Sequence, residues 1–245
     1  MFRFFHEELI VESIKKRWHR LQERVAQAAA RAGRDPNEIQ IMAVSKTMPL
    51  ERILEARDAG VTLFGENRIQ EAMQKFGNRR QNFSDPDVSL HLVGHLQSNK
   101  ARKALDLFDM IHSLDRVRLA EVLSRIAQET NRELPILIEV NTSGEKSKFG
   151  VAPEQSLELT RKAASFPNLK ILGFMTVGAW LPDPEEVRPC FQLLREIRDR
   201  VASEKIANVS TDILSMGMTN DFEAAIEEGS TLIRIGTAIF GPRNT

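Results

Sequence analysis

Lys46 closes an apolar run, Ile41-Met42-Ala43-Val44-Ser45-Lys46-Thr47, just ahead of Pro49. A lysine so placed puts an amine where a barrel or sheet would hold a ligand. Desolvation disfavours the ammonium form, lowers the pKa and makes the amine nucleophilic. That is the state needed for a Schiff base with an aldehyde such as pyridoxal 5′-phosphate (PLP). An isolated lysine at a strand end more often only carries its charge out to water, so the assignment needs a second feature. Ser215-Met216-Gly217 and Arg234-Ile235-Gly236-Thr237 supply it, with small residues, hydroxyls and exposed backbone N–H groups. Such segments suit anion binding by the backbone. PLP carries an aldehyde for Lys46 and a phosphate for these two segments, which are expected to face Lys46 across the mouth of the fold.

The elements that must position these residues are short apolar runs alternating with helical segments. The runs span 39–46, 62–66, 89–95, 110–114, 135–141, 171–177, 213–216 and 232–240. Helical spacing covers 50–59, 69–76, 116–130, 153–164, 184–203 and 222–228. Strands buried on both faces read as continuous apolar runs. Eight of them separated by helices predict a single (β/α)₈ TIM barrel, which fits a chain of 245 residues. No G-x-G-x-x-G or Walker motif follows the first run, which argues against an open doubly wound sheet. A charged amphipathic helix over about 8–32, with Gly33 and Pro36 at its end, is expected to pack on the barrel. The division is therefore an N-terminal helix over 1–38 and a barrel over 39–245, one domain overall. The stretch 77–87 reads as loop.

In such a barrel the chemistry gathers at the C-terminal ends of the strands. Those ends are polar throughout: Lys46-Thr47, Glu66-Asn67-Arg68, His95, Asp115, Glu139-Val140-Asn141, Thr176, Ser215 and Arg234. His91 and His95 have i, i+4 spacing, but on a strand they do not converge on a metal. No metal site is expected.

Lys+Arg and Asp+Glu are both 34, so the net charge is zero and nothing points to nucleic acid or an acidic membrane as partner. One cysteine, Cys190, excludes an internal disulfide and predicts a cytoplasmic setting. No stretch has the length of a membrane span. The chain contains no tyrosine, which excludes any mechanism built on a tyrosine acid or base.

The ordered set of motifs resembles the YggS/PROSC family of PLP homeostasis proteins. It comprises Val44-Ser45-Lys46-Thr47, Phe64-Gly65-Glu66-Asn67-Arg68, and His91-Leu92-Val93-Gly94-His95-Leu96-Gln97-Ser98-Asn99-Lys100. Lys148-Phe149-Gly150, Leu214-Ser215-Met216-Gly217-Met218-Thr219-Asn220-Asp221 and Arg234-Ile235-Gly236-Thr237 complete it. The resemblance implies a fold type III PLP barrel like the N-terminal domain of alanine racemase, with an internal aldimine on Lys46. Ser215, Gly236 and Thr237 would hold the phosphate, with Met216 and Gly217 in the same segment. Arg234 would face the pyridine nitrogen and Asn67 would lie near the ring. A cation at that nitrogen disfavours its protonation and weakens the ring as an electron sink.

Racemases of this type need a second domain and a tyrosine, and the chain ends at Thr245 just past the last run. The implied role is intracellular PLP (vitamin B6) homeostasis without robust catalysis, by a monomer that hands PLP to PLP-dependent apo-enzymes. A weak racemase or lyase using His95, His112 or Cys190 is the alternative, and a barrel for another phosphorylated ligand a third possibility. Gly178-Ala179-Trp180-Leu181-Pro182 is more apolar than the family pattern, so its loop is expected to be reshaped or to cover the cofactor differently. Met1–Phe5 reads as an extension.

Overall fold

The computed structural model describes residues 12–77 and 88–242. Eight parallel strands close into one barrel in chain order, with the last hydrogen-bonded back to the first. They are β1 (Gln40–Val44), β2 (Leu63–Glu66), β3 (Ser89–Leu92), β4 (Met110–Leu114), β5 (Leu134–Glu139), β6 (Leu169–Met175), β7 (Val209–Ser215) and β8 (Leu232–Ile235). Helices alternate with them: α2 (Leu50–Asp58), α3 (Ile69–Phe76), α4 (Ala101–Leu107), α5 (Val117–Glu129), α6 (Ser156–Ala164), α7 (Pro184–Ser203), α8 (Phe222–Glu227) and the single turn α9 (Thr237–Phe240). This is the expected (β/α)₈ TIM barrel. The expectations for Met1–Phe5, for the helix start at 8–11 and for the loop 78–87 lie outside the described residues.

Ahead of the barrel runs α1 (Ile14–Arg31), begun by Ser13, whose hydroxyl accepts from the Lys16 N–H. Its apolar stripe, Ile14, Trp18, Leu21, Val25 and Ala28, is buried against α2, α8 and α9. The last strand is shorter than its apolar run. It ends at Ile235, and Ala238-Ile239-Phe240 instead form the buried side of α9 after Gly236. Apolar composition does not distinguish these two states over so few residues. The seventh strand starts earlier than expected, at Val209, because its first half carries the polar Ser210, Thr211 and Asp212.

Side chains alternate across each strand, so one parity faces the lumen and the other faces the helices. The helix side holds most of the core, including Phe64, Phe108, Phe174 and Phe191. A separate small cluster of Met110, Leu137 and Met175 shares its parity with His112 and Glu139. By the same count the lumen-facing set contains Met42, Val44 and then Lys46 on the first strand, and Leu232 and Arg234 on the last. Asn67 has lumen parity on the second strand, whereas Ser45 and Glu66 point outward.

Candidate functional site

Lys46 stands two residues past the end of β1, half-buried and on the lumen parity. Its two neighbours are held from outside the wall. Ser45 is fully buried, and its hydroxyl donates to Glu66 Oε1 at 2.7 Å. Lys75, from α3, donates to the Ser45 carbonyl at 2.8 Å and pairs with Glu66 and Glu71, each at 2.7 Å. Glu71 in turn accepts from the Thr47 N–H. Thr47 adopts φ +66°, a left-handed conformation that costs a non-glycine residue roughly 1 kcal/mol. Two carboxylates and one ammonium therefore clamp the peptide units on either side of Lys46. Burial pushes Glu66 above the usual carboxylate range against the pull of Lys75, and its Oε2 has no hydrogen-bond partner. The sequence analysis missed this clamp. Its only signal is the Glu71/Lys75 i, i+4 pair, which ordinarily marks a solvated helix face.

Arg234 lies on the strand next to that of Lys46 but deeper in the barrel, because β8 pairs with β1 in the register Met42↔Arg234 and Ala43↔Ile235. Gly236 sits next to the Val44 carbonyl; a Cβ there would be 3.5 Å from that oxygen. The segment after β8 is thus the lateral neighbour of Lys46, not its partner across the mouth, since closure of the barrel makes the first and last strands adjacent. The Arg234 guanidinium is 5% exposed. It donates to the Ser215 carbonyl (2.6 Å), the Ser215 hydroxyl (2.8 Å) and the Thr176 carbonyl (2.7 Å). These are all neutral oxygens, and among the described residues no carboxylate forms a salt bridge with it. Burial lowers its pKa to about 10, with Asp221 and Glu139 attracting it from a distance. A buried cation supported only by neutral groups leaves room for an acceptor ligand.

Ser215 and Met216 are fully buried, and the Ser215 hydroxyl also contacts His112 at 3.2 Å. It sits beneath the rim and holds Arg234; Gly217 is buried as well, and Met218 and Thr219 are the first partly exposed residues of this segment. Gly217 has φ +92°, and a Cβ there would lie 2.6 Å from that of Ala225, so only glycine fits. Asp221 accepts from the Met218 N–H at 2.5 Å and closes the turn. Just after the last strand, Gly236 is half-buried and Thr237 exposed. The N–H groups of Gly236, Thr237 and Ala238 precede the first closed bond of α9, Ile239 N–H to Gly236 O.

Asn67 follows β2, also on the lumen parity. Its carbonyl lies so near Gly94 that a Cβ there would be 2.1 Å from it, so the second and third strand ends touch through backbone. His95 is stacked on Phe149, centroids 3.8 Å apart, and its Nδ1 lies 3.3 Å from Asp115 Oδ2 without hydrogen-bond alignment. Glu139 is buried, with Oε2 unpaired; desolvation and the nearby Asp115 push its pKa up to about 8. His112 is inside the barrel and Cys190 on the buried face of α7. Lys148 ties the loop after β5 to the Gly178 carbonyl at 2.7 Å, while Trp180 in the loop after β6 is 85% exposed. Among the described residues no group of His, Cys, Asp or Glu could hold a metal ion, and no helix is long and apolar enough to cross a membrane.

Residues 17–244 match the family model described as alanine racemase, N-terminal domain. The pyridoxal phosphate homeostasis protein of Aquifex aeolicus is 44% identical over 228 residues, 93% of this chain and 97% of that protein. The protein of the same name from Escherichia coli K12 is 41% identical over 227 residues, 91% and 94% of the two chains. The structure of PipY from Synechococcus elongatus with PLP bound superimposes with a TM-score of 0.80 at 34% identity, covering 93% of this chain and all of that one. The chain belongs to the pyridoxal phosphate homeostasis protein family, within the alanine racemase N-terminal domain class.

Proposed function

We propose that this member of the family holds PLP in the mouth of its barrel, attached through Lys46, and serves intracellular PLP homeostasis without robust amino-acid catalysis. The observation that carries this reading is the buried Arg234, supported by neutral oxygens alone and held in the barrel below Lys46, on the strand that pairs with that of Lys46. When bound, the cofactor supplies an aldehyde to the Lys46 amine, a ring nitrogen to Arg234 and a phosphate to the loops after β7 and β8.

The residues of the chain then have separable tasks. The clamp of Glu66, Lys75 and Glu71 fixes the backbone that aims Lys46. Gly217, Gly236 and Thr237, joined by Thr219, offer N–H and hydroxyl donors to the phosphate. Ser215 acts one layer below, as the support of Arg234, and Met216 anchors the segment in the core. Asn67 flanks the ring. Arg234 is charged at neutral pH even with its lowered pKa, so it keeps a proton off the nitrogen it faces. The chain offers no tyrosine for acid–base work, His112 is sealed inside the barrel, and His95 at the mouth is held between Phe149 and Asp115, which favours holding the cofactor over carbanion chemistry.

A monomer that releases PLP to PLP-dependent apo-enzymes in the cytoplasm fits the balanced charge and the single buried cysteine. The test is an absorbance spectrum of the purified chain with PLP, before and after borohydride, with peptide mapping. A yellow band that bleaches and leaves a pyridoxyl mass on Lys46 is expected, and Lys46→Ala is expected to lose that label with its fold intact. Tight binding of a plain phosphate ester with no band would reduce Lys46 to an anion-site cation. Amino-acid turnover by the loaded chain would overturn the non-catalytic reading.

A further inference from the structure

A line of hydrogen-bonding side chains crosses the barrel interior. It starts at Asp109, just before β4 and therefore at the rim opposite the mouth. Ser89 Oγ lies 3.3 Å from Asp109 Oδ2 and 3.1 Å from His91 Nε2. His91 Nδ1 lies 3.0 Å from His112 Nε2, and His112 Nδ1 lies 3.2 Å from Ser215 Oγ. Arg234 Nη1 closes the series on that hydroxyl at 2.8 Å. His91 and His112 sit third in β3 and β4 and are 7% and 0% exposed.

Donor and acceptor capacity fixes the direction of this series. Arg234 can only donate, so Ser215 accepts from it. The Ser215 proton then goes to Nδ1 of His112. A neutral His112 therefore carries its proton on Nε2 and gives it to Nδ1 of His91. His91 does the same toward Ser89, and Ser89 donates to the Asp109 carboxylate, which also accepts from the Leu90 N–H at 2.8 Å. Reversing the direction strands the Ser215 proton and leaves two oxygens facing each other at Asp109. Burial, His91 and Arg234 hold His112 well below the usual imidazole range, which agrees with a neutral ring. A cation at one end and a carboxylate at the other polarise every bond in the same sense.

We propose that Asp109, Ser89, His91 and His112 form a one-way relay of positioning residues that fixes the Ser215 hydroxyl and, through it, the Arg234 guanidinium at the mouth. The functional part of this proposal rests on the PLP reading; the protonation pattern does not. The experiment is ¹⁵N NMR of the full chain labelled at histidine, first alone and then with PLP, on the wild type, Ser89→Ala and Ser89→Thr. In the unliganded wild type both rings are expected as neutral Nε2–H tautomers at pH 7.5. Ser89→Ala removes the acceptor for His91 and is expected to change the tautomer balance of His112, two side chains away. It is also expected to weaken PLP binding about tenfold, the loss of one hydrogen bond from the series. Ser89→Thr keeps the hydroxyl and restores both readouts. A wild-type His112 protonated on Nδ1 or on both nitrogens overturns the relay. So does a Ser89→Ala variant with unchanged His112 signals. If the wild type shows the expected tautomers but takes up no PLP, the cofactor reading fails and the relay stands.

Discussion

The mouth of the barrel and the seam where α1, α7 and α8 meet carry similar numbers of charges and treat them in opposite ways. Along the seam the signs alternate from helix to helix. Arg24 pairs with Glu223, Glu223 with Arg31, Arg31 with Glu227, Glu227 with Arg188, Arg188 with Glu228 and Glu228 with Arg195. Every carboxylate there has two cations, and Glu223 and Glu227 are drawn below the usual range by the arginines that donate to them. At the mouth, Glu66 and Glu139 each keep an unpaired buried oxygen, and Arg234 is buried among neutral groups. A fold can satisfy all its charges when water helps, as along the seam. Among the described residues the buried side-chain oxygens left unpaired, those of Glu66 and Glu139, both lie at strand ends of the mouth, and unmet demand of that kind marks the end built for a ligand.

The largest effect that would sharpen this contrast belongs to Lys75→Met. The substitution leaves Glu66 and Glu71 facing each other without their shared ammonium, and breaking a buried pair from one side costs about 3–5 kcal/mol. Acid should soften the loss, because Glu66 is already held above the usual carboxylate range and protonates first. Urea unfolding at pH 7.5 and pH 5 measures it. Equal, small losses at both pH values would mean that the clamp is no more than another exposed pair.

Glu139→Gln comes next and acts in the other direction. The folded pKa is raised from 4.5 to about 8 by burial and by Asp115. Between those values the native chain keeps a proton that the unfolded chain has released, so stability falls as pH rises through that window and levels off above it. Glutamine never ionises and removes that dependence. The variant is expected to gain on the order of 3 kcal/mol over wild type at pH 9 and nothing at pH 4. Melting temperatures across that range check it. A flat difference would place Glu139 in contact with water and weaken the contrast between mouth and seam.

How much of this was legible in the sequence follows the same division. Residues near strand ends announced themselves: Lys46, Asn67, Ser215, Arg234 and Gly236 were read as the C-terminal ends of apolar runs, and all lie at or near the C-terminal ends of their strands. What crosses between elements did not. Lys75 reads as an ordinary helix lysine until α3 packs on the wall, and His91 meets His112 only through the pairing of β3 with β4. The expectation that the phosphate segment faces Lys46 from across the mouth failed for the same reason, since the closing β8–β1 pair is invisible along the chain. Gly236 shows the limit of composition: Ala238-Ile239-Phe240 is as apolar as a strand, and only the break at the glycine turns it into α9.

The smallest expected effect tests the seam itself. Arg24 is 45% exposed and reaches Glu223 at 2.8 Å, and the pair is worth about 0.2–1 kcal/mol, screened by salt. Glu223→Gln should therefore cost little in dilute buffer and almost nothing in 1 M salt, where charges this far out no longer feel each other. Arg24→Ala should behave differently. Its guanidinium also lies over the Phe222 ring, 4.7 Å from the centroid, so part of its contribution is packing and ring attraction. That part, about 0.5 kcal/mol, should survive high salt. Thermal shifts of the two variants at low and high salt separate the terms. A Glu223→Gln loss that persists in salt would show the seam charges to be as strongly coupled as those at the mouth, and the contrast between satisfied shell and unsatisfied site would lose its electrostatic basis.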